Sequence, residues 1–467
     1  MPLFQQLFNH YNEFHETEIS TNRFSPEKFN KVLLAGSKNF KLKKLGESVD
    51  GRPINAVFLG NGVKKILLWS QMHGNESTAT RAILDILNFF SDPSNFNDIA
   101  SNLIEELTIC ILPMLNPDGT YRFQRRNALE VDLNRDARSF EAPESKILRE
   151  IIQEFKPDYA FNLHDQRRFY NVDGTGKPST IAFLAPAYNI GEETNPSRSK
   201  AMQLIAQLRS QLEAVIPGQI GIYDDTYSHR AFGDYTQSTG ASTILVESGW
   251  AADDMEKEFV RKLNFCLLVS AFGSIMNNSH DEYSEIDYKN IPMNDEKLFD
   301  VLIRNATIKS EDSSFKVDIG IQRNEISILN STNYYSISEV ADIGDLQEYY
   351  GFNEVVGTNL VIEPGLVWQN SIIENENLTF QRGKIEELLK QGYLYMAVAG
   401  LPEDDFMVLP INIVSPDYKA DTIPKFEGKA NFLLKDTDGR IRFLIINGFL
   451  WNIEKSLPDS INGLVFR

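Results

Sequence analysis

The sequence predicts an α/β fold, a mixed twisted sheet flanked by helices, followed by a β-rich, sandwich-like domain. From about residue 64 to residue 277, short apolar runs rich in β-branched residues alternate with longer segments of helical periodicity. Beyond residue 297 the helical periodicity gives way to short strand-like runs bounded by turn residues. The chain has 467 residues, which is enough for two or three domains.

Five apolar runs predict strands, and four amphipathic segments predict helices that cover the sheet. The predicted strands are KILLWSQ (65–71), ELTICILPM (106–114), DYAFNLH (158–164), TIAFLAP (180–186) and STILVES (242–248). The predicted helices are STATRAILDILNFF (77–90), PESKILREIIQEF (143–155), SRSKAMQLIAQLRSQLEAV (197–215) and DMEKEFVRKLNFCLLVSAFGSIM (254–276). Ser77 is a residue type that caps helix N-termini, and Pro143 suits a first helical turn.

These elements divide the chain into four predicted parts. Residues 281–297 are polar, charged and free of apolar periodicity, which is typical of a linker. The whole division is a helical lead-in at 1–40, a catalytic domain at 41–280, the linker at 281–297 and a β-rich domain at 298–467.

Composition excludes several classes of partner. The formal charge is -19 and there is no basic tract, so neither nucleic acid nor an anionic membrane is an expected partner. The only two cysteines, Cys110 and Cys266, lie in apolar runs, which argues against a disulfide framework or a thiolate metal site. Neither a signal peptide nor a membrane-spanning run is evident, so we expect a cytoplasmic protein. The oligomeric state does not follow from the sequence.

A histidine and a glutamate follow the first predicted strand, in the hexapeptide QMHGNE. His73 and Glu76 offer an imidazole nitrogen and a carboxylate oxygen, and both suit zinc. A polar turn at a strand end often contains these residue types for solubility alone. A catalytic zinc site needs a third protein ligand at the same edge of the sheet.

Two histidines are candidates for that third ligand. Of six histidines, His164 ends a predicted strand as His73 does, whereas His229 lies in the loop sequence YDDTYSHRAF. His164 is therefore the better candidate, and His229 is the fallback. Glu247 ends the apolar run STILVES and is a candidate general base, although a strand-terminal glutamate can also simply face solvent.

Two further motifs lie between the histidines. NPDG (116–119) is an ordinary turn sequence. The run RRNALEVDLNRD (125–136) places arginines and an asparagine around VDL, and such groups near a metal can hold a substrate carboxylate and stabilise an oxyanion. The alternative is a solvated loop with ion pairs.

In order, HGNE, NPDG, R-x-N, VDLNRD, NLHD and VESG resemble the zinc metallocarboxypeptidase family, carboxypeptidase A-like and of the bacterial type, over about residues 41–277. The resemblance implies a peptide substrate and one Zn²⁺ per chain, bound by His73, Glu76 and His164. It implies that Glu247 is the general acid/base.

The same resemblance assigns the surrounding residues. Asp132 matches the residue that orients the first histidine, and Asn134 and Arg135 match the pair that grips the terminal carboxylate of the substrate. The arginine that polarises the scissile carbonyl matches Arg125, with Arg126 as the alternative. The mobile tyrosine of the family matches Tyr227 less closely, and Tyr223 is the alternative.

The predicted C-terminal domain contains FDVLIRNATI (299–308), KVDIGIQRNEISIL (316–329), VIEPGLVW (361–368) and RIRFLIINGFLW (440–451). These runs are weakly similar to the β-subdomain of amidohydrolases, and any small β-sandwich would give a similar pattern. No histidine follows His280, so the histidine-rich metal site of an amidohydrolase cannot form there. The leading function is a metallocarboxypeptidase. The alternatives are a zinc deacylase of N-acyl amino acids, as in aspartoacylase-like relatives, and a peptide-binding protein without catalysis.

Overall fold

The computed structural model describes residues 1–36, 40–252, 254–310, 313–328, 331–369 and 382–467. The chain forms two compact units, Met1–Glu296 and Lys297–Arg467. The predicted α/β sheet with flanking helices forms in the first unit, and the second unit is β-rich, so the predicted fold class is confirmed.

Ten strands and ten α-helices are described in the first unit. The strands are β1 (Lys41–Glu47), β2 (Pro53–Leu59), β3 (Lys64–Trp69), β4 (Leu107–Leu112), β5 (Tyr159–Asp165), β6 (Asn171–Val172), β7 (Ile181–Leu184), β8 (Ile220–Ile222), β9 (Ser242–Ser248) and β10 (Asn294–Asp295). The helices are α1 (Leu3–His10), α2 (Pro26–Gly36), α3 (Thr78–Ser91), α4 (Asn97–Glu106), α5 (Pro117–Arg122), α6 (Pro143–Phe155), α7 (Pro196–Leu212), α8 (Phe232–Ser238), α9 (Glu258–Asn277) and α10 (Glu285–Lys289).

Eight of these strands form one mixed sheet in the order β1-β2-β4-β3-β5-β9-β7-β8. The four central strands β4, β3, β5 and β9 run parallel to one another, so their carboxyl ends meet at one edge. The outer strands β1, β2 and β7 run antiparallel to their neighbours towards the centre. In such sheets, ligands bind at the carboxyl ends of the parallel strands.

The central strands are buried on both faces. Along β3, Ile66 and Leu68 pack into a core with α3, α7 and α9, whereas Leu67 and Trp69 pack into a second core with α6 and α8. Alternate side chains point to opposite faces of a strand, so a continuous apolar run supplies both cores.

The N-terminal lead-in is part of the first core. Phe4 and Leu7 of α1 are buried in the same core as Phe265 of α9. Asp85 of α3 and Arg261 of α9 form an ion pair whose side chains are both 0% exposed.

The segment that was predicted to be a linker contains regular secondary structure. Residues 281–297 contain α10 and β10, and β10 pairs with β6. His280, just before this segment, is buried and its Nε2 lies 2.8 Å from the Tyr159 hydroxyl. The segment is polar because short helices on the surface of a unit expose most of their side chains, so composition alone did not distinguish it from a linker.

Within the described residues, α9 is the one helix long and apolar enough to cross a membrane by length and composition. Of its most apolar window, 83% is buried inside the unit. Its apolar surface is therefore covered by the core.

The second unit contains thirteen described strands and one described α-helix. They are β11 (Leu298–Ser310), β12 (Ser313–Ser327), β13 (Tyr334–Gly344), β14 (Tyr350–Val356), β15 (Val361–Pro364), β16 (Leu366–Trp368), α11 (Arg382–Lys390), β17 (Tyr393–Ala397), β18 (Phe406–Met407), β19 (Asn412–Val414), β20 (Phe432–Lys435), β21 (Ile441–Ile446), β22 (Phe449–Asn452) and β23 (Gly463–Leu464).

The main sheet of the second unit has the order β13-β12-β11-β15-β20-β21-β22, with β14 also pairing with β11. A parallel three-stranded sheet, β16-β17-β19, forms beside it and shares a core with α11, β20 and β21. A short antiparallel pair, β18 and β23, completes the described strands of the unit.

Candidate metal centre

The fold brings His73, Glu76 and His164 together at the carboxyl edge of the parallel strands. His73 and Glu76 lie in the turn between β3 and α3, and His164 lies near the end of β5. The His73 Nδ1 atom is 2.8 Å from Glu76 Oε1, and the His164 Nδ1 atom is 2.7 Å from Glu76 Oε2. One ligand atom from each residue lies within 4.8 Å of the others, and all three residues are buried. This donor set fits a catalytic zinc site with one open position.

The turn that holds His73 is fixed by close backbone packing. A Cβ atom on Gly74 would lie 1.9 Å from the carbonyl carbon of Gly119, so only glycine fits at residue 74. The Asn116 side chain accepts a hydrogen bond from Gly119 N at 2.8 Å and donates one to the Met72 carbonyl at 3.2 Å. The NPDG motif is therefore a brace for the turn that carries His73.

The electrostatics of Glu76 and His164 favour a bound cation. Burial alone would raise the pKa of Glu76, but the adjacent imidazoles of His73 and His164 lower it below its usual value. Burial lowers the pKa of His164 and outweighs the effect of Glu76. Glu76 is thus ionised and His164 is neutral at neutral pH, and these are the protonation states that ligate metals.

Asp132 connects the metal group to the loop that follows NPDG. Its Oδ1 atom lies 3.0 Å from His73 Nε2 and accepts a hydrogen bond from Asn134 N. A carboxylate on Nε2 holds the proton there and leaves the Nδ1 lone pair of His73 for a metal. Burial would raise the pKa of Asp132, but His73 and Arg125 lower it below its usual value.

The two candidate arginines differ in position. Arg125 donates from Nε to Asp132 Oδ2 at 3.0 Å, and its Nη1 lies 3.3 Å from Glu76 Oε1. Arg126 is exposed and donates to the carbonyl of Glu130 at 2.8 Å. The structure therefore brings Arg125 to the metal group and directs Arg126 away from it.

Glu247 lies beside His164, because the two residues are register partners on the parallel strands β5 and β9. Its Oε2 atom is buried and has no hydrogen-bond partner among the described residues. Burial, followed by the charges of Glu76 and Asp165, raises its pKa well above the usual value. A raised pKa makes this carboxylate a stronger proton acceptor than an exposed glutamate.

Asn134 and Arg135 lie in a 3₁₀ turn, Leu133–Arg135, directly after Asp132. The Asn134 Oδ1 atom accepts a hydrogen bond from Phe232 N at 2.9 Å, which leaves its NH₂ group without a partner among the described residues. Arg135 is exposed and its Nη1 donates to the Asn134 carbonyl at 2.7 Å. Both side chains can offer N–H donors to a ligand anion.

The two candidate tyrosines occupy different environments. The Tyr223 hydroxyl donates to Gln166 Oε1 at 2.7 Å, and its ring packs against Tyr170. Tyr227 is partly exposed, with its ring centroid 6.5 Å from that of His229. Tyr223 is tied in place, whereas the structure shows no hydrogen bond from the Tyr227 hydroxyl to any described residue. The two tyrosines therefore differ in how many contacts hold them, and Tyr223 has the stronger ones.

His229, the fallback ligand, does not join the metal group. It is exposed, and its Nε2 lies 3.3 Å from Arg138 Nη1.

Two neighbours of the metal group, Asp165 and Lys257, were not predicted from the sequence. Asp165 N donates to Glu76 Oε2 at 3.3 Å, and Asp165 Oδ2 accepts from Lys257 Nζ at 3.2 Å. Asp165 could have been predicted, because it directly follows His164 in the motif NLHD.

Residues 29–142 match the family model described as zinc carboxypeptidase. Carboxypeptidase 2 of Trichophyton rubrum is 31% identical over 104 residues, which is 22% of this chain and 19% of the relative. Carboxypeptidase SOL1 of Arabidopsis thaliana is 25% identical over 197 residues, which is 36% of this chain and 40% of the relative. The matched region thus spans about a fifth to two fifths of the length of these curated relatives.

Two solved structures are similar to this one at low identity. The metallo-carboxypeptidase from Burkholderia cenocepacia is 18% identical, with a TM-score of 0.44 over 55% of this chain and 70% of that chain. Carboxypeptidase A from Helicoverpa armigera is 17% identical, with a TM-score of 0.45 over 60% of this chain and 80% of that chain.

The family match contains His73, Glu76, Arg125, Asp132, Asn134 and Arg135 but ends before His164 and Glu247. The fold brings His164 and Glu247 to the site, because β5 and β9 place them beside Glu76, which lies in the matched segment. The resemblance to the zinc carboxypeptidase family that the sequence motifs predicted is therefore confirmed, and the family match itself covers residues 29–142.

Proposed function

We propose that this protein is a zinc metallocarboxypeptidase that releases residues from the C-terminus of peptides. The convergence of His73, Glu76 and His164 beside Glu247 carries the proposal. Two imidazoles and a carboxylate, with a nearby carboxylate that is not a ligand, are the parts that metal-assisted hydrolysis requires.

The fit to zinc rests on the ligand atoms themselves. Both imidazole Nδ1 atoms face the Glu76 carboxylate, and Asp132 holds the proton of His73 on the opposite nitrogen. When bound, zinc supplies Lewis acidity that lowers the pKa of a water molecule towards about 7.

The chain's own groups have separate roles in the proposed reaction. Glu247 accepts a proton from the attacking water and returns it to the leaving amine. The Arg125 guanidinium, which is held by Asp132, donates to the oxyanion that develops on the scissile carbonyl. These roles require that Glu247 is ionised before attack and protonated after it.

We propose that the 3₁₀ turn at Leu133–Arg135 binds the C-terminal carboxylate of the peptide substrate. The free NH₂ group of Asn134 and the guanidinium of Arg135 are donors that match a terminal carboxylate. Tyr227 is proposed as the mobile residue that covers the bound substrate. Because the matched relatives are covered only in part, the substrate class is a proposal for this chain.

The test uses zinc-loaded protein, wild type and Glu247→Gln, with a panel of peptides that have free or amidated C-termini. We expect the wild type to release single C-terminal residues from the free peptides only, and the variant to keep its zinc while losing turnover. Glu130→Gln, an exposed change in the loop beside Arg126, is the control.

The same panel includes N-acyl amino acids and therefore separates the alternatives. Cleavage restricted to N-acyl amino acids would replace the carboxypeptidase with a deacylase. Zinc binding without cleavage of any substrate would support a binding protein. The expected cytoplasmic location stays a prediction, to be tested by cell fractionation, and the similarity of the second unit to an amidohydrolase β-subdomain also stays a prediction.

A further inference from the structure

The second unit contains a cavity that the proposed hydrolysis does not use. Its volume is about 320 Å³, and its lining comes from β17, the segment 415–431, the start of β20 and the C-terminal Phe466. Pockets for small molecules begin at about this size. The cavity suits a small molecule of one ring rather than a segment of a protein.

One wall of the cavity is aromatic. The ring centroids of Tyr395 and Tyr418 are 5.1 Å apart, and those of Tyr395 and Phe466 are 5.8 Å apart. Tyr418 and Phe466 are also in contact, with centroids 5.7 Å apart, so the three rings form one cluster. Tyr395 is buried and fixed, whereas Tyr418 and Phe466 are partly exposed and can pack against a ligand ring.

The lining of the cavity includes Asn431, a buried amide. Asn431 is 7% exposed, and its Oδ1 atom accepts hydrogen bonds from Asn412 Nδ2 at 2.8 Å and from Asn447 N at 2.7 Å. These two donors fix the orientation of the amide, because a backbone N–H must meet the oxygen. The Nδ2 atom is therefore held as a donor, and it is buried without a partner among the described residues. A buried donor of this kind needs an acceptor from a ligand or water.

Three of the four charged residues that line the cavity are lysines. Lys425 forms an ion pair with Asp421 at 2.5 Å, while Lys419 and Lys429 are exposed and form no ion pair with a described residue. The chain as a whole has a formal charge of -19. Two lysines without carboxylate partners around one cavity are therefore a local departure from the charge of the protein.

The loop that supplies most of these groups is unusually long. Residues 415–431 connect β19 to β20, are all described, and contain neither a helix nor a strand. Loops beyond about 12–15 residues without secondary structure are uncommon in compact domains and are often functional. This loop is held against β13, since Glu427 N donates to the Val340 carbonyl at 2.9 Å and Val340 N donates to the Gly428 carbonyl at 2.8 Å.

We propose that this cavity is a binding site for a small monocyclic organic anion. Its ring packs against Tyr418 and Phe466, and its carboxylate or phosphate accepts from Asn431 Nδ2 and pairs with Lys419 and Lys429. The aromatic wall selects the ring, and the amide with the two lysines selects the anion.

The test measures binding to the full chain by ligand-observed NMR and by calorimetry. The probes are benzoate and phenyl phosphate, compared with acetate, inorganic phosphate and benzyl alcohol, each of which lacks either the ring or the charge. We expect saturable binding of the two ring anions that is at least about tenfold tighter than binding of the three comparison compounds.

Three variants locate the binding. Asn431→Asp keeps an oxygen for Asn412 and Asn447 but replaces the free donor with a carboxylate oxygen, so it should weaken the ring anions by at least about tenfold. Lys419→Gln with Lys429→Gln should weaken them as well, with a smaller salt dependence than the wild type. Lys316→Gln, an exposed change on β12, is the control and should bind as the wild type does. Absence of saturable binding, or equal binding in Asn431→Asp, would overturn the proposal.

Discussion

His164 and Glu247 are direct neighbours across the parallel strands β5 and β9, and His164 also lies within hydrogen-bond distance of Glu76. Neighbours in register project from the same face of a sheet, so the metal ligand and the candidate base face the same space. Neither residue lies in the segment that matches the family model. The fold therefore places these two residues beside Glu76, which lies inside the matched segment.

Replacing Asp132 with Asn should weaken zinc binding by about 10–100-fold. The charge that holds the proton on His73 Nε2 is lost, and so is the ion pair with Arg125. Competition with a zinc chelator measures the change. Glu130→Gln in the same loop should bind zinc as the wild type does, and an equal loss in both variants would show a general loosening of the loop instead.

Arg125 and Arg126 offer a matched pair. Arg125→Gln should lower kcat by on the order of 10²–10³, because it removes a donor to the developing oxyanion. Arg126→Gln should change kcat little, since its guanidinium binds the Glu130 carbonyl. Steady-state kinetics on one peptide substrate decides between them. A larger loss in Arg126→Gln would reverse the assignment.

The apolar runs predicted β3, β4, β5, β7 and β9 because these inner strands are buried on both faces. The edge strand β1, with the sequence KLKKLGE, was not predicted because most of its side chains are exposed and charged. Periodicity detects only strands that bury side chains, so an edge strand escapes it.

His73, Glu76 and His164 could be predicted as metal ligands because they follow or end apolar runs that predict strands, and the ends of such strands meet at one edge of a sheet. The choice between Arg125 and Arg126 depends on which way the loop directs each side chain. The sequence does not show this, because the two arginines are adjacent. The bracing role of NPDG needed the contact between Gly74 and Gly119, a distance between backbones that no motif encodes.

Asp234 should make stability depend on pH. Burial raises its pKa to about 6, although its Oδ1 accepts a hydrogen bond from Ser228 N. Between the unfolded pKa of about 3.9 and the folded value, the unfolded chain loses this proton first, so the free energy of unfolding falls as pH rises. Above that range the penalty is constant, and below it the penalty is absent.

Asp234→Asn keeps the oxygen that accepts from Ser228 and removes the titration. It should be more stable than the wild type by about 1–3 kcal/mol at pH 7.5, and the difference should close near pH 4. Urea unfolding at both pH values measures this. A difference that does not depend on pH would contradict the raised pKa.

The ion pair between Asp85 and Arg261 should anchor the N-terminal lead-in. Asp85 also accepts hydrogen bonds from the Tyr11 hydroxyl at 2.9 Å and from Glu16 N at 2.7 Å. Asp85→Ala removes the buried carboxylate from Arg261, which keeps only the more exposed Glu258 at 3.3 Å, and should cost about 3–5 kcal/mol. Unfolding by urea and limited proteolysis of residues 1–24 check the result. Asp92→Ala, an exposed change at the end of the same helix, should have little effect on either.

The most direct test of the central claim is the zinc content of the purified protein, measured by mass spectrometry for the wild type and for His164→Ala. Circular dichroism confirms that the variant is folded. We predict one zinc ion per wild-type chain and a large loss in the variant, because His164 is one of the three proposed protein ligands that the described residues bring together. A wild type that binds no zinc, or a folded variant that keeps all of it, would contradict the proposed metal centre.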